Sequence, residues 1–211
     1  MRILCIGDSN TWGFNPENGL RHEKRWTKTL QKLLPDDEII EEGLIGRTFN
    51  FVDPFYEERC GINFLPMLLM SHQPIDLVII MLGTNDLKTV FHASAKVIAK
   101  GAGSFIRTIN NPYLYKYPVP QILMISPISL HEEIEEREGK YGNFNNESLF
   151  QSYHLGEEIE KVCMEYEVNY FNASNHAKAS PIDCIHMDEE NHQILARAIC
   201  GKIKEIKLKN E

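Results

Sequence analysis

The sequence has no Cys-x-x-Cys pair, no excess of basic charge, no apolar run of membrane-spanning length and no internal repeat. Each absence removes a class of protein. The five cysteines, Cys5, Cys60, Cys163, Cys184 and Cys200, are odd in number and scattered. They do not form a disulfide framework, and they read as reduced, mostly buried thiols of a reducing compartment. No stretch approaches the roughly 20 apolar residues of a transmembrane helix. The opening run Ile3-Leu4-Cys5-Ile6 stops at Gly7-Asp8, too soon for a signal-peptide core, so the cytoplasm is the expected location. Against 22 Lys and Arg stand 30 Asp and Glu, a net charge of −8, which argues against a nucleic-acid or anionic-membrane surface. Without a linker or repeat, residues 1–211 read as a single domain. Its 43% hydrophobic and 25% charged content is that of an ordinary soluble protein with a real core.

What is present is an alternation of strands and helices. Residues 3–6 read as a strand, 25–34 as a helix stopped by Pro35, and 38–42 as a second strand. Residues 63–72 follow as a helix, and 76–82 as a strand that is apolar without a break after Asp76, the mark of burial on both faces. Further on come a helix over 93–109 with an interruption expected near Gly101 and Gly103, and a strand at 121–125. A helix over 147–166, a short strand at 168–171 and a last helix over 188–206 complete the chain. Five strands alternating with helices predict an α/β fold, a three-layer α/β/α sandwich on a parallel sheet. The 128–146 connection is long enough to suggest a functional loop.

The chemistry gathers where strands end. Gly7-Asp8-Ser9 follows the first strand directly and places Ser9 at the crevice beyond a carboxyl end, where open α/β sheets bind ligands. Gly7 is expected to permit the sharp turn, and a helix after Ser9 would aim N–H groups at the crevice. Trp12 either lines that crevice or anchors its loop. The second strand leads into Gly43-Leu44-Ile45-Gly46-Arg47-Thr48, and the third into Gly83-Thr84-Asn85-Asp86. Near the end of the chain, Asp183 and His186 stand three apart in a loop, so the carboxylate can hold one imidazole nitrogen and leave the other free. His186 could then take the proton from Ser9. The Ser9 N–H, the Gly46 N–H and the Asn85 amide are candidate donors to an oxyanion. His192 has Glu189, not Asp, three residues before it and is the weaker candidate base. Cys184 beside His186 lacks a second ligand pair of metal-binding spacing.

These blocks, Gly7-Asp8-Ser9, Gly46, Gly83-Thr84-Asn85-Asp86 and Asp183-x-x-His186, resemble those of the SGNH hydrolases, the GDSL-type esterases and lipases, in order and spacing over nearly the whole chain. The longer strings Gly43–Thr48, Asp76–Lys88 and Arg25-Trp26 resemble the arylesterase and acyltransferase branch, which includes carbohydrate acetylesterases. The G-x-S-x-G elbow of the α/β-hydrolases is absent. The resemblance implies a flavodoxin-like sandwich, Ser9 as nucleophile, His186 as base, Asp183 as its orienter, and an oxyanion hole of Ser9, Gly46 and Asn85. It implies no metal and no cofactor, and a small-molecule ester of short acyl chain as substrate. Trp12 and the aromatic loops at 49–56 and 141–144 are candidates to shape the pocket and, equally, candidate packing residues. The alternatives are an acetylesterase acting on xylan or other oligosaccharides and, more remotely, a non-catalytic binding domain. The branch also implies a homo-oligomer in which loops from neighbouring subunits narrow the pocket, with residues 111–120 and 128–146 as the candidate inter-subunit contacts. One departure stands out: Cys184 occupies a position that is often Gly in the family's last block.

Overall fold

The computed structural model describes residues 1–137 and 143–209. Five strands, β1 (Arg2–Gly7), β2 (Glu38–Gly43), β3 (Leu77–Met81), β4 (Gln121–Ser126) and β5 (Asn169–Asn172), form one sheet in the order β2-β1-β3-β4-β5. Every pairing is parallel. The order reverses beside β1, so the loops after β1 and β3 flank a topological switch point, the usual ligand crevice of such sheets.

The strands show why both faces must be covered. Leu4 and Ile6 of β1 face one side with Val78, Ile80, Ile122 and Met124, while Ile3, Cys5, Leu77, Ile79, Leu123 and Ile125 face the other. The first face is closed by α3 (Gly61–His72), α4 (Ala95–Ile109) and α5 (Asn146–Glu165), through Leu65, Phe105 and Leu155 among others. The second is closed by α2 (Trp26–Leu33) and α6 (Glu189–Leu208), through Trp26, Leu30, Leu195 and Ile199. Fully burying one such side chain stabilises the fold by about 1.5–3 kcal/mol. No helix among the described residues is long and apolar enough to cross a membrane.

One expectation is corrected. Helix α4 runs unbroken through Gly101 and Gly103. A Cβ on Gly101 would stand 2.5 Å from the Cβ of Phe49, so this glycine lets the helix close on the loop beyond β2. The stretch 111–120 leads into the amino end of β4, where Tyr117, Pro118 and Val119 line a cavity with Met1 and Lys207. It therefore lies across the sheet from the Ser9 turn and does not border the crevice.

Candidate active site

Helix α1 (Ser9–Trp12) is one turn long. The Asp8 side chain caps it by accepting the Asn10 N–H at 2.9 Å, and Gly13 ends it with φ 90°. The helix expected after Ser9 is thus a single turn. Gly7 leaves room for the turn: a Cβ there would fall 2.0 Å from the Thr11 hydroxyl oxygen and 2.8 Å from the Met81 carbonyl. It allows close packing, as does Gly43, whose added Cβ would meet the Trp12 nitrogen at 2.3 Å. Both strand-end glycines let the Ser9 turn fold back onto the sheet.

The loop between β5 and α6 brings Asp183 and His186 to this turn. The Asp183 Oδ1 accepts the N–H groups of Ile185 and His186 at 3.0 and 2.9 Å, and Oδ2 lies 2.6 Å from His186 Nδ1. Burial pushes the Asp183 carboxyl upward, but the His186 side-chain bond, its charge and the two backbone donors outweigh this and hold it below the ordinary value. Asp183 is therefore a carboxylate, Nδ1 carries a proton toward it, and Nε2 is left as an acceptor. That nitrogen lies 2.7 Å from Ser9 Oγ. Such an alignment can receive the serine proton.

The three expected oxyanion donors come from the loops after β1, β2 and β3. Neither the Ser9 nor the Gly46 N–H has an acceptor among the loop hydrogen bonds of the described residues. Gly46 has φ 83°, a left-handed conformation that favours glycine. The Arg59 side chain packs on its open face, with Cδ and Nε 2.7 Å from where a Cβ would be. The Asn85 Nδ2 donates to the Arg47 carbonyl at 3.2 Å, which ties the second loop to the third and leaves one amide proton for another acceptor. Below them, the Asp86 carboxylate accepts the Phe49 N–H through both oxygens, at 3.0 and 3.1 Å. Buried Arg47 donates to the carbonyls of Gly7 and Glu42. Burial raises the carboxyls of Asp8 to about 6 and Asp86 to about 7, against the pull of the backbone donors beside them.

Other expected residues lie near the site without joining the hydrogen-bonded chain. Trp12 is half-buried, its carbonyl accepts from Arg21 Nε at 2.6 Å, and the Arg21 guanidinium lies 5.4 Å from its ring centroid. His192 is fully buried. Its Nδ1 accepts the Trp26 N–H at 3.4 Å, and burial, then the neighbouring His22, His186 and Arg25 charges, lower its pKa to about 3. Phe144 is a core residue, packed in the layer with α3, α4 and α5, whereas Tyr141 falls outside the described residues. Among the described residues, no group of three or more His, Cys, Asp or Glu is arranged to hold a metal ion.

One contact had no signal in the sequence. The Phe14 ring packs on the His186 imidazole with centroids 4.4 Å apart, which restricts rotation of that ring. Cys184 has φ 66°. The backbone there takes the left-handed form that glycine adopts freely, at a cost of about 1–2 kcal/mol for a residue with a Cβ.

The model of the GDSL-like lipase/acylhydrolase family matches residues 5–194. No curated protein matches the sequence. The solved structure of Est24, a carbohydrate acetylesterase from Sinorhizobium meliloti, is similar at 35% identity, with 97% of this chain and 99% of that chain covered and a TM-score of 0.88. The native aryl esterase of M. smegmatis is similar at 33% identity, with 97% and 98% covered and a TM-score of 0.87. The chain belongs to the GDSL-like lipase/acylhydrolase family and is a carboxylic ester hydrolase of the SGNH fold.

Proposed function

We propose that this protein hydrolyses short-chain, acetyl-like carboxylic esters through a Ser9–His186–Asp183 triad and an acyl-enzyme. Ser9 Oγ attacks the ester carbonyl as its proton passes to His186 Nε2, and Asp183 steadies the imidazolium. The N–H groups of Ser9 and Gly46 and the Asn85 amide receive the oxyanion. The tetrahedral intermediate collapses, and the alcohol leaves with the proton from His186. Water, deprotonated by His186, then attacks the acyl-enzyme and releases the acid and free Ser9. A second alcohol in place of water gives acyl transfer. The observation that carries the reading is the unbroken chain from Ser9 Oγ to His186 (2.7 Å) to Asp183 (2.6 Å).

The test is a chain-length series of p-nitrophenyl esters with Ser9→Ala as control. Highest turnover on acetate, abolished in the variant, supports the proposal. Retained activity in Ser9→Ala sinks it. The 35% identity to an S. meliloti carbohydrate acetylesterase favours a second reading, deacetylation of an acetylated sugar or oligosaccharide. Higher kcat/KM on acetylated xylo-oligosaccharides than on phenyl acetate would select it. Trp12, on the Ser9 turn, is our candidate contact for the alcohol part. We further read residues 1–211 as one cytoplasmic domain that assembles into a homo-oligomer, which light scattering of the purified protein checks.

A further inference from the structure

Asn10 sits on the same single turn as Ser9, with 1% of its surface exposed. Its amide reaches the loop that carries His186. The Oδ1 accepts the Met187 N–H at 3.0 Å, and the Nδ2 donates to the Ile185 carbonyl at 3.3 Å. These partners stand 177 and 175 residues away in sequence, and they flank His186. One side chain therefore grips the backbone on both sides of the imidazole while its own backbone adjoins Ser9.

The gripped loop is strained. Two residues before His186, Cys184 holds φ 66° with its side chain fully buried. Its N–H donates to the Ser180 carbonyl and its carbonyl accepts from the His131 N–H, at 2.8 and 2.9 Å. A loop held in a conformation its own residue disfavours moves toward a relaxed one unless its surroundings prevent it. Relaxation on the His186 side would shift the imidazole away from Ser9. The two Asn10 bonds oppose that shift.

We propose that Asn10 is a positioning residue, which holds His186 in line with Ser9 Oγ against the backbone strain at Cys184. The proposal rests on Ser9 and His186 being nucleophile and base. A leucine in place of Asn10, as in the GDSL signature that names the family, has no polar atom and can make neither bond. On this proposal such a side chain fails in this chain, where residue 184 has positive φ.

The experiment is a double-mutant cycle with Asn10→Leu, Cys184→Gly and the pair, in the full-length protein. Steady-state kinetics on p-nitrophenyl acetate are read beside the far-downfield proton resonance of the Asp183–His186 hydrogen bond. Asn10→Leu is expected to lower kcat about 10–100-fold, the cost of a small misplacement of a reacting group, with KM nearly unchanged and the resonance broadened or lost. In the Cys184→Gly background the same change is expected to cost under about threefold. Equal losses in the two backgrounds, or full kcat with an unchanged resonance in Asn10→Leu, would overturn the proposal. Should Asn10→Leu fail to fold, Asn10→Asp keeps the acceptor for Met187 and removes the donor to Ile185. Wild-type kcat in that variant would equally overturn it. Failure of the nucleophile reading is seen separately, as activity surviving Ser9→Ala.

Discussion

The two ends of the sheet are built differently. At the amino end lies a cavity of about 650 Å³, lined by Met1, Asp76, Tyr117 and Gln121 among others, with no serine, histidine or cysteine in its wall. Its charges are spent on one another: Asp37 takes both the Met1 ammonium and Lys207, and Arg2 pairs with Glu38. At the carboxyl end a whole cluster of polar groups is buried. Asp8, Ser9, Asn85, Asp86 and Asp183 are all at most 7% exposed. Gly13, Gly46, Gly83 and Cys184 all take positive φ there. Carboxyls raised by burial and unspent donors mark the working end, and cavity volume does not. Stabilising contacts and chemistry have been separated across about 20 Å of strand, the length of a typical strand.

Variants that break this contrast should rank by how directly they touch the chain of hydrogen bonds. Asp183→Asn removes the charge that fixes the His186 tautomer, and kcat should fall about 10³–10⁴-fold with the fold intact by circular dichroism. Asn85→Ala removes one oxyanion donor, and a loss of about 10²–10³ in kcat is expected. Asp8→Asn tests the burial of charge. Burial lifts the Asp8 carboxyl from 3.8 to about 6. The neutral form thus favours folding below 3.8, and that contribution is lost as pH rises through about 6. Relative to wild type, the Tm of Asp8→Asn should therefore climb between pH 4 and 6, by about a few degrees, and level off above. Asp37→Asn should leave kcat/KM unchanged and lower Tm. Burial pushes the Asp37 carboxyl up, but the hydrogen bonds and charges of Lys207 and the amino terminus bring it below 3.8. Its contribution is complete above 3.8 and disappears as pH falls through the lowered value, so the Tm gap should close in acid. A loss of activity in Asp37→Asn would show that the two ends are not independent.

Much of this was legible in the sequence because its signals are local. The apolar runs at 3–6 and 77–81 need no partner to be recognised as buried strands. Gly7-Asp8-Ser9 and Asp183-x-x-His186 carry their chemistry in residue type and spacing. Arrangements made by distant segments were not legible. Asn10 stands out only once its partners beyond β5 are known. Gly101 reads as a helix break until Phe49 is packed against it. Phe144 read equally as a pocket aromatic or a packing residue, because sequence does not say which way a loop residue faces, and it lies in the core. The departure at Cys184 was visible, but its meaning is a backbone angle, which residue type alone does not report.

The central claim is that Ser9, activated by His186, is the atom that becomes acylated. The direct measurement is intact-mass and peptide-mapping analysis after a brief exposure to a p-nitrophenyl phosphonate, which traps the nucleophile covalently. One phosphonyl group per chain on Ser9, with labelling slowed by at least about 10³-fold in His186→Ala, is the expected result. A label on another residue, or unchanged labelling of the Ser9→Ala variant, would contradict the account.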